Sequence, residues 1–361
     1  MADDELRSPL HDVQVAAGGD AEWEDGWPWF LRFNGDAAGE FQAIRTATGL
    51  WDLFSAIKYE VTSPDATRLI QRRFTNDLSN VSAGGVRYGA FVNADGTMVD
   101  DGNVYKHADD RYWVIVNTAG LEDWFRETAG GLDARISERT REMPLISATG
   151  PGSRDLVQSL TDYDLSSLGY FRFEPTPVKV GGVDATVLRT GFSGELGFEM
   201  VTDPASAPTL WRALIDAGGR PFGLDAIDIA RVEAGLVIIG IDYQVGATSP
   251  WDVSLDRVIK TGTENVGADA LAAYGAAPPK RFKTLRIEGD AAPEAGATVT
   301  KDGADVGTVT SPATSPTFGV IALAILDTGV ATDGEKVEVG GAVATVAPLS
   351  IHDPEKRKPR S

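Results

Sequence analysis

Hydrophobic and polar positions change their period several times along the chain. Residues 37–49 (AAGEFQAIRTATG) and 65–73 (DATRLIQRR) carry apolar residues at helical spacing and predict two short helices. Ser63 or Asp65 stands where the second helix needs an N-cap. From Val86 the period falls toward two. RYGAFVN, MVDDGNVYKH and RYWVIVN alternate or run apolar, and ADGT and ADD separate them. That pattern predicts three strands joined by tight turns. With the helical LEDWFRETAGG after it, roughly 56–140 forms one α+β unit.

Further on, SATGPGSRDLVQSL (147–160) is a glycine-rich loop that opens a helix. It lacks the spacing of either phosphate-binding fingerprint and reads as a plain turn. Strand-like VKVGGVDATVLRTG (178–191), with its GG turn, and ELGFEMV follow. DPASAPTLWRALIDAG and GLDAIDIARVEAGL predict two helices, and a less regular stretch runs to Ala277. Pro278-Pro279 marks a linker. Beyond it no helix-period run occurs between Phe282 and Ser350, which predicts a small all-β barrel or sandwich. The closing EKRKPRS is a basic tail expected to be disordered.

Composition narrows the chemistry. The 361 residues include 53 acidic and 33 basic side chains, for a formal charge of −20. That balance argues against nucleic acid, whose affinity comes from Lys and Arg, and against an anionic membrane surface. Acids spread along the whole chain suit a salt-adapted, hydrated surface. The absence of Cys excludes disulfides, thiolate nucleophiles and Cys-ligated metal. Three His (His11, His107 and His352) argue against a His-based triad or a multi-His metal site, so no metal is expected. No apolar run reaches a membrane span, and the acidic start MADDELRSPL is unlike a signal peptide. The expected location is the cytoplasm.

Three segments hold more polar detail than packing needs. In the strand ending at Asp100-Asp101, adjacent acids point to opposite faces, so one is expected inward and one outward. An inward Asp either binds a ligand or is satisfied by backbone N–H groups. RTGFSGELGFEM (189–200) lacks the second glycine of a nucleophile elbow, because Glu195 stands there. Its glycines instead predict a close crossing of another segment. In IDIARVEAGLVIIG, Arg231 lies among apolar residues and either reaches solvent or pairs with a carboxylate. The Trp-rich AEWEDGWPWFLRF (21–33) predicts core packing of Trp23, Trp27 and Trp29; the other reading is an aromatic wall for a methylated small molecule.

Taken together, FTNDLSNVSAGGVRYGAFVNADGTMVDD, RTGFSGELGFEM and IARVEAGL resemble, in order, the motifs of the aminomethyltransferase family, the T-protein of the glycine cleavage system. TSPWDVSLDRVIK and TSPATSPTFGVIALAIL resemble family segments too, so the likeness spans about Glu40 to Leu349. It implies an α+β fold: a three-domain T-protein-like ring of two α+β domains and a C-terminal all-β barrel. The boundaries are 1–55 plus 141–277 for a discontinuous folate-binding domain, 56–140 for the domain with Asp100-Asp101, 281–351 for the barrel, and 352–361 for a tail.

By the same resemblance the cofactor is tetrahydrofolate and Asp101 is the catalytic carboxylate. Tyr88, Asn103 and Asn117 line the folate pocket, and Glu199 bonds the pterin edge. Arg231 lies near the folate, with Tyr170, Phe173 and Phe192 as aromatic neighbours. The activity implied is aminomethyl transfer from a lipoyl carrier protein (H-protein). A paralogue that demethylates an N-, O- or S-methyl compound is the alternative. Phe192 replaces a tyrosine of the family run, and TGTENVG (261–267) and the Trp-rich segment also depart from it. Two further readings are weaker. A non-enzymatic folate-binding branch carries a Cys motif this chain lacks, and a flavin-dependent oxidase needs a dinucleotide-binding domain absent here.

Overall fold

A computed structural model describes residues 7–24 and 26–361; the acidic opening at 1–6 and position 25 of the Trp-rich segment lie outside it. Helix α1 (His11–Ala16) leads into a hairpin, β1 (Gly19–Glu24) and β2 (Trp27–Phe33). Helix α2 (Ala37–Thr46) follows, with the Asp36 carboxylate capping the Gly39 N–H at 3.0 Å. It stops before the expected Gly49, because residues 49–52 enter a sheet as β3 (Gly49–Asp52).

The next strands are β4 (Ile57–Thr62), then after α3 (Ala66–Gln71) the meander β5 (Gly85–Val92), β6 (Met98–Ala108) and β7 (Arg111–Val116). Helix α4 (Glu122–Glu127) and β8 (Arg135–Glu138) complete a five-stranded sheet of order β5-β6-β7-β4-β8. The chain then returns to β3. Strand β9 (Leu145–Thr149) pairs with it, and after α5 (Ser153–Gln158) come β10 (Val178–Val180), β11 (Val183–Leu188) and β12 (Gly197–Val201). Helix α6 (Ala207–Asp216), β13 (Arg220–Pro221) and α7 (Leu224–Ala234) follow, and the six-stranded sheet runs β10-β11-β12-β9-β3-β13. One face of this sheet buries Leu50, Ile146, Ala148, Phe198 and Met200 against Leu210, Trp211 and Leu214 of α6.

The stretch expected to be irregular contains a helix, α8 (Ala268–Gly275). Its apolar content is mostly alanine, so its helical stripe is weak; Leu271 is the buried anchor. After Pro279 the strands β14 (Lys280–Ile287), β15 (Thr298–Lys301), β16 (Ala304–Ser315), β17 (Gly319–Asp327), β18 (Lys336–Val339) and β19 (Ala342–Ala347) close into a barrel of order β14-β17-β16-β15-β18-β19. Closure leaves no free sheet edge, which resolves the barrel-or-sandwich choice.

Two apolar clusters join the units. Val86, Tyr105, Trp113 and Ile115 of the five-stranded sheet pack on Leu145, Leu188 and Val201 of the six-stranded one. Ala90, Val92 and Met98 pack on Val232 of α7 and Val237 just after it, and on Phe282, Ile321 and Leu323 of the barrel. Strand β6 therefore presents one face to both other units.

The basic tail is ordered, not disordered. Lys358 Nζ lies 3.1 Å from Glu195 Oε1, Arg154 donates to the Ser361 carbonyl, and Arg189 bonds the same oxygen. A buried acidic partner, Glu195, explains why this short basic segment docks. The Trp-rich hairpin is only partly core: Trp23 is exposed, while Trp27 and Trp29 are half-buried. A two-stranded hairpin offers too little depth to cover three indoles.

Candidate active site

Strand β6 alternates, so Asp101, Asn103 and Tyr105 share the face turned toward the six-stranded sheet and the barrel side. Asp100 points to the other face. The expectation that one acid would face solvent fails, because both are buried. Asp100 accepts hydrogen bonds from the Asn117 and Thr118 N–H groups at 3.0 and 2.7 Å, from Asn117 Nδ2 at 2.8 Å and from the Asp101 N–H at 2.7 Å. It is the satisfied, structural acid of the pair. Asn117 serves it and also donates to the Asp101 carbonyl at 3.1 Å, so its amide holds the acid pair.

Among the described residues no backbone N–H donates to the Asp101 carboxylate. Tyr88 Oη donates to Oδ2 at 2.8 Å and Tyr243 Oη to Oδ1 at 2.6 Å. Burial first, then the Asp100 charge, pushes its carboxyl up to about 7, against the pull of the two hydroxyls. A carboxyl balanced near neutrality can accept or return a proton at working pH. Tyr88 and Asn103 stand opposite each other on β5 and β6. The Asn103 Oδ1 is buried and has no hydrogen-bond partner among the described residues, an acceptor held ready for a donor.

Two residues along from Asn103, Tyr105 Oη lies 3.3 Å from Thr190 Oγ1, and Thr190 bonds the Glu199 carboxylate. Glu199 is on β12, buried, and in register with Ser147 of β9 and then Trp51 of β3. Burial pushes its carboxyl up to about 7, while the Thr190 hydroxyl and the Lys58 charge pull it down. Lys58, fully buried on β4, donates to the Leu53 and Phe54 carbonyls at 2.9 Å each. Burial pushes its amine down to about 7, against the Asp52 and Glu199 charges. A line of polar groups thus runs from Asp101 through Asn103, Tyr105 and Thr190 to Glu199.

The 189–197 loop opens onto a surface cleft whose walls include Tyr170, Arg189, Thr190, Glu195, Leu236 and Lys356. At Gly194 (φ +77°) a Cβ would lie 2.7 Å from Ala234 Cβ, so the predicted close crossing is against α7. Gly150 (φ +125°) likewise has no room for a Cβ, 2.4 Å from the Ala47 carbonyl oxygen; this glycine serves a backbone approach. Tyr170 packs on Phe171 and under the Arg360 guanidinium. Phe173 packs between Tyr105, His107 and Trp113 inside the interface of the two sheets. Phe192 stacks on Trp51, 6.4 Å between centroids.

Arg231 is 1% exposed, which overturns the solvent-reaching reading. Its guanidinium donates to Asp228 at 2.7 Å, Asp242 at 2.6 Å and Ser311 at 2.8 Å, and is consumed in joining α7 to the barrel. The residues missed by sequence reading are Tyr243, Lys58 and Thr190. Tyr243 follows no periodic pattern, and Lys58 sits on the alternate face of a strand where polar residues are usually solvated. Thr190 lies within RTGFSGELGFEM, where nothing in the local pattern sets its hydroxyl apart. Among the described residues no cluster of acids and His is placed to hold a metal ion, and no helix is long and apolar enough to cross a membrane.

Comparison with known proteins adds an independent line. A family model described as the GCVT N-terminal domain matches residues 10–263, and one described as the glycine cleavage T-protein C-terminal barrel domain matches residues 280–353. A protein named aminomethyltransferase from Streptomyces avermitilis is 38% identical over 323 residues, covering 86% of each chain. Another of that name from Streptomyces coelicolor is 36% identical, covering 95% of this chain and 96% of its own. In fold, the chain is similar to the glycine cleavage system aminomethyltransferase T of Bartonella henselae, with a TM-score of 0.88 at 23% identity over 97% of this chain and 99% of that one.

Proposed function

The chain belongs to the GCVT family, that of the glycine cleavage T-protein, and from that premise we propose that it is a tetrahydrofolate-dependent aminomethyltransferase of glycine cleavage. The observation that carries the reading is the polar line from Asp101 to Glu199 with the orphaned Asn103 oxygen along it. A pterin presents several N–H donors on one edge and apolar ring faces, so acceptors spaced along a buried wall suit it. Glu199 accepts from that edge at one end. Asn103 Oδ1 accepts along the wall. Tyr170 and the basic side chains of Arg189 and Lys356 in the cleft suit the anionic end of the same molecule. Arg231 acts from behind by fixing α7.

When bound, tetrahydrofolate supplies the nucleophilic nitrogen that takes the one-carbon unit. Asp101 takes up the proton released there, and its negative charge favours the cationic character of the reacting carbon. The two tyrosine hydroxyls keep its oxygens oriented. The fold contributes chiefly position, since burial excludes water from both carboxyls. The donor in this reading is an aminomethyl-loaded lipoyl carrier; as its carbon–nitrogen and carbon–sulfur bonds break, ammonia and the carrier's free dihydrolipoyl thiol are the other products. Work in the cytoplasm and a salt-adapted surface belong to the same proposal; the −20 charge supports them, and thermal stability that rises with added KCl tests the second.

A second reading is favoured by one feature. A small cleft has walls that include Trp27, Trp29, Trp51, Phe54 and Asp52. Aromatic faces beside a carboxyl suit a methylated amine, as a demethylase would require. Mass analysis of the folate product after incubation with each donor in salt separates the two. Methylenetetrahydrofolate with free ammonia from the carrier supports aminomethyl transfer. Methyltetrahydrofolate from a methylated amine supports demethylation.

A further inference from the structure

Of the two hydroxyls bonded to the Asp101 carboxylate, that of Tyr243 comes from outside the five-stranded sheet. Its hydroxyl reaches Oδ1 at 2.6 Å, and its side chain is 1% exposed in the cluster between that sheet, α7 and the barrel. The segment carrying it is fastened on both sides. Gly246 N–H donates to the Met98 carbonyl at 2.8 Å, and Met98 N–H to the Thr248 carbonyl at 2.8 Å, at the start of the strand that bears Asp101. On the other side Asp242 is fully buried. It accepts from Arg231 at 2.6 Å, from the Ile238 N–H at 2.9 Å, from Ser311 at 2.6 Å, and from Thr310. The anchor therefore runs from barrel strand β16 through Asp242 to the neighbouring Tyr243, and so to the carboxylate.

We propose that Tyr243 is a positioning residue for Asp101, holding the carboxylate ionised and correctly turned through a hydroxyl that the barrel domain fixes in place. The proposal rests on the reading of Asp101 as the proton-accepting carboxylate. A carboxylate has about four lone-pair positions, and the Tyr88 and Tyr243 hydroxyls take one on each oxygen. The remaining positions are free to receive a proton, and the carboxyl cannot rotate without breaking two bonds. Tyr243 stays protonated throughout, because burial and the Asp101, Asp100 and Tyr88 groups around it all oppose its ionisation. It therefore donates and never competes for the proton. The charged and titratable groups facing Asp101 are Tyr88 from β5, Asp100 on its own strand, and Tyr243 with Asp242 from the anchored segment; the Arg231 guanidinium neutralises Asp242.

Removing a donor from a carboxylate favours its protonated form. In the full-length protein, Tyr243→Phe is expected to raise the protonation midpoint of the Asp101 carboxyl by about one pH unit, read by carbon-13 NMR titration of labelled aspartate. The resonance is assigned as the one that Asp101→Asn removes. The acid limb of the turnover profile should move up by the same amount. Turnover at pH 7 should fall roughly fivefold, with the tetrahydrofolate KM within about twofold of wild type. The NMR midpoint needs no turnover, so a failure of the enzymatic reading leaves this test standing. Should Tyr243→Phe fold poorly, Ser311→Ala, which loosens Asp242 without touching Asp101, is expected to move the midpoint the same way by less. A midpoint unchanged in the folded variant, or a loss of turnover with an unshifted acid limb, overturns the proposal.

Discussion

Arg231 Nη1 meets Asp242 Oδ2 at 2.6 Å where neither side chain has more than 1% exposure. The pair joins α7, the segment after it and the barrel through Ser311. Removing one member of a buried ion pair strands the other's charge, which costs far more than the pair itself contributes. Arg231→Ala is therefore expected to lower unfolding free energy by about 3–5 kcal/mol, measured by chemical denaturation. Any loss of folate affinity in this variant should track the loss of folded protein.

A second buried arginine gives a contrast. Arg45 bridges Glu195 at 3.3 Å and Glu233 at 2.7 Å, with all three side chains nearly buried. Lys358 reaches Glu195 at 3.1 Å from a half-exposed position on the tail. Burial raises the Glu195 carboxyl, but the His352 hydrogen bond and the His352, Arg45 and Lys358 charges outweigh it and hold it low. Arg45→Ala should cost about 3–5 kcal/mol, and Lys358→Ala no more than about 1 kcal/mol. Thermal or denaturant unfolding of both variants side by side checks the ranking.

Much of the fold could be read in advance because period changes mark it. The meander from Gly85 to Val116 follows from alternation and two turn sequences, and the barrel from a long stretch without helical period. The resemblance pointed to Asp101 and Glu199, and the structure buries both. Long-range partners were not legible. Nothing local marks Tyr243 as a partner of Asp101, 142 positions away, or tells that Arg231 would be consumed by Asp242 and Ser311. The order of the tail is not legible locally, because its charge complement, Glu195, lies in a distant loop.

Glu199 supplies a prediction about affinity. Its carboxyl has Thr190 as a neighbour and remains available for a donor edge. A hydrogen bond to a charged acceptor contributes about 1.5–3 kcal/mol, so Glu199→Gln should weaken tetrahydrofolate binding by roughly 10- to 150-fold. Isothermal titration calorimetry reads this directly. Affinity within twofold of wild type would remove Glu199 from the folate site.

The same carboxyls tie stability to pH. Asp101 and Glu199 both titrate near 7 in the folded protein, above the ordinary 3.8 and 4.5. The folded state binds more protons than the unfolded chain between those values. Their contribution to stability is therefore full below about pH 4 and is lost as pH rises through 7. Lys58 runs the other way above 7: its folded value is depressed, the unfolded chain binds more protons, and stability gains as pH rises from 7 toward 10.5. Asp101→Asn, freed of a buried charge, is expected to be more stable than wild type at pH 8 by about 1–3 kcal/mol. Denaturant titrations of both proteins at pH 5 and pH 8 check the sign.

The most direct test of the whole account is turnover by Asp101→Asn with tetrahydrofolate and an aminomethyl-loaded lipoyl carrier, measured beside its tetrahydrofolate affinity. Asparagine keeps the shape of the side chain but cannot take up the proton. Turnover is expected to fall by about 10²- to 10⁴-fold with folate affinity within threefold of wild type. Turnover within a factor of three of wild type would contradict the assignment of Asp101.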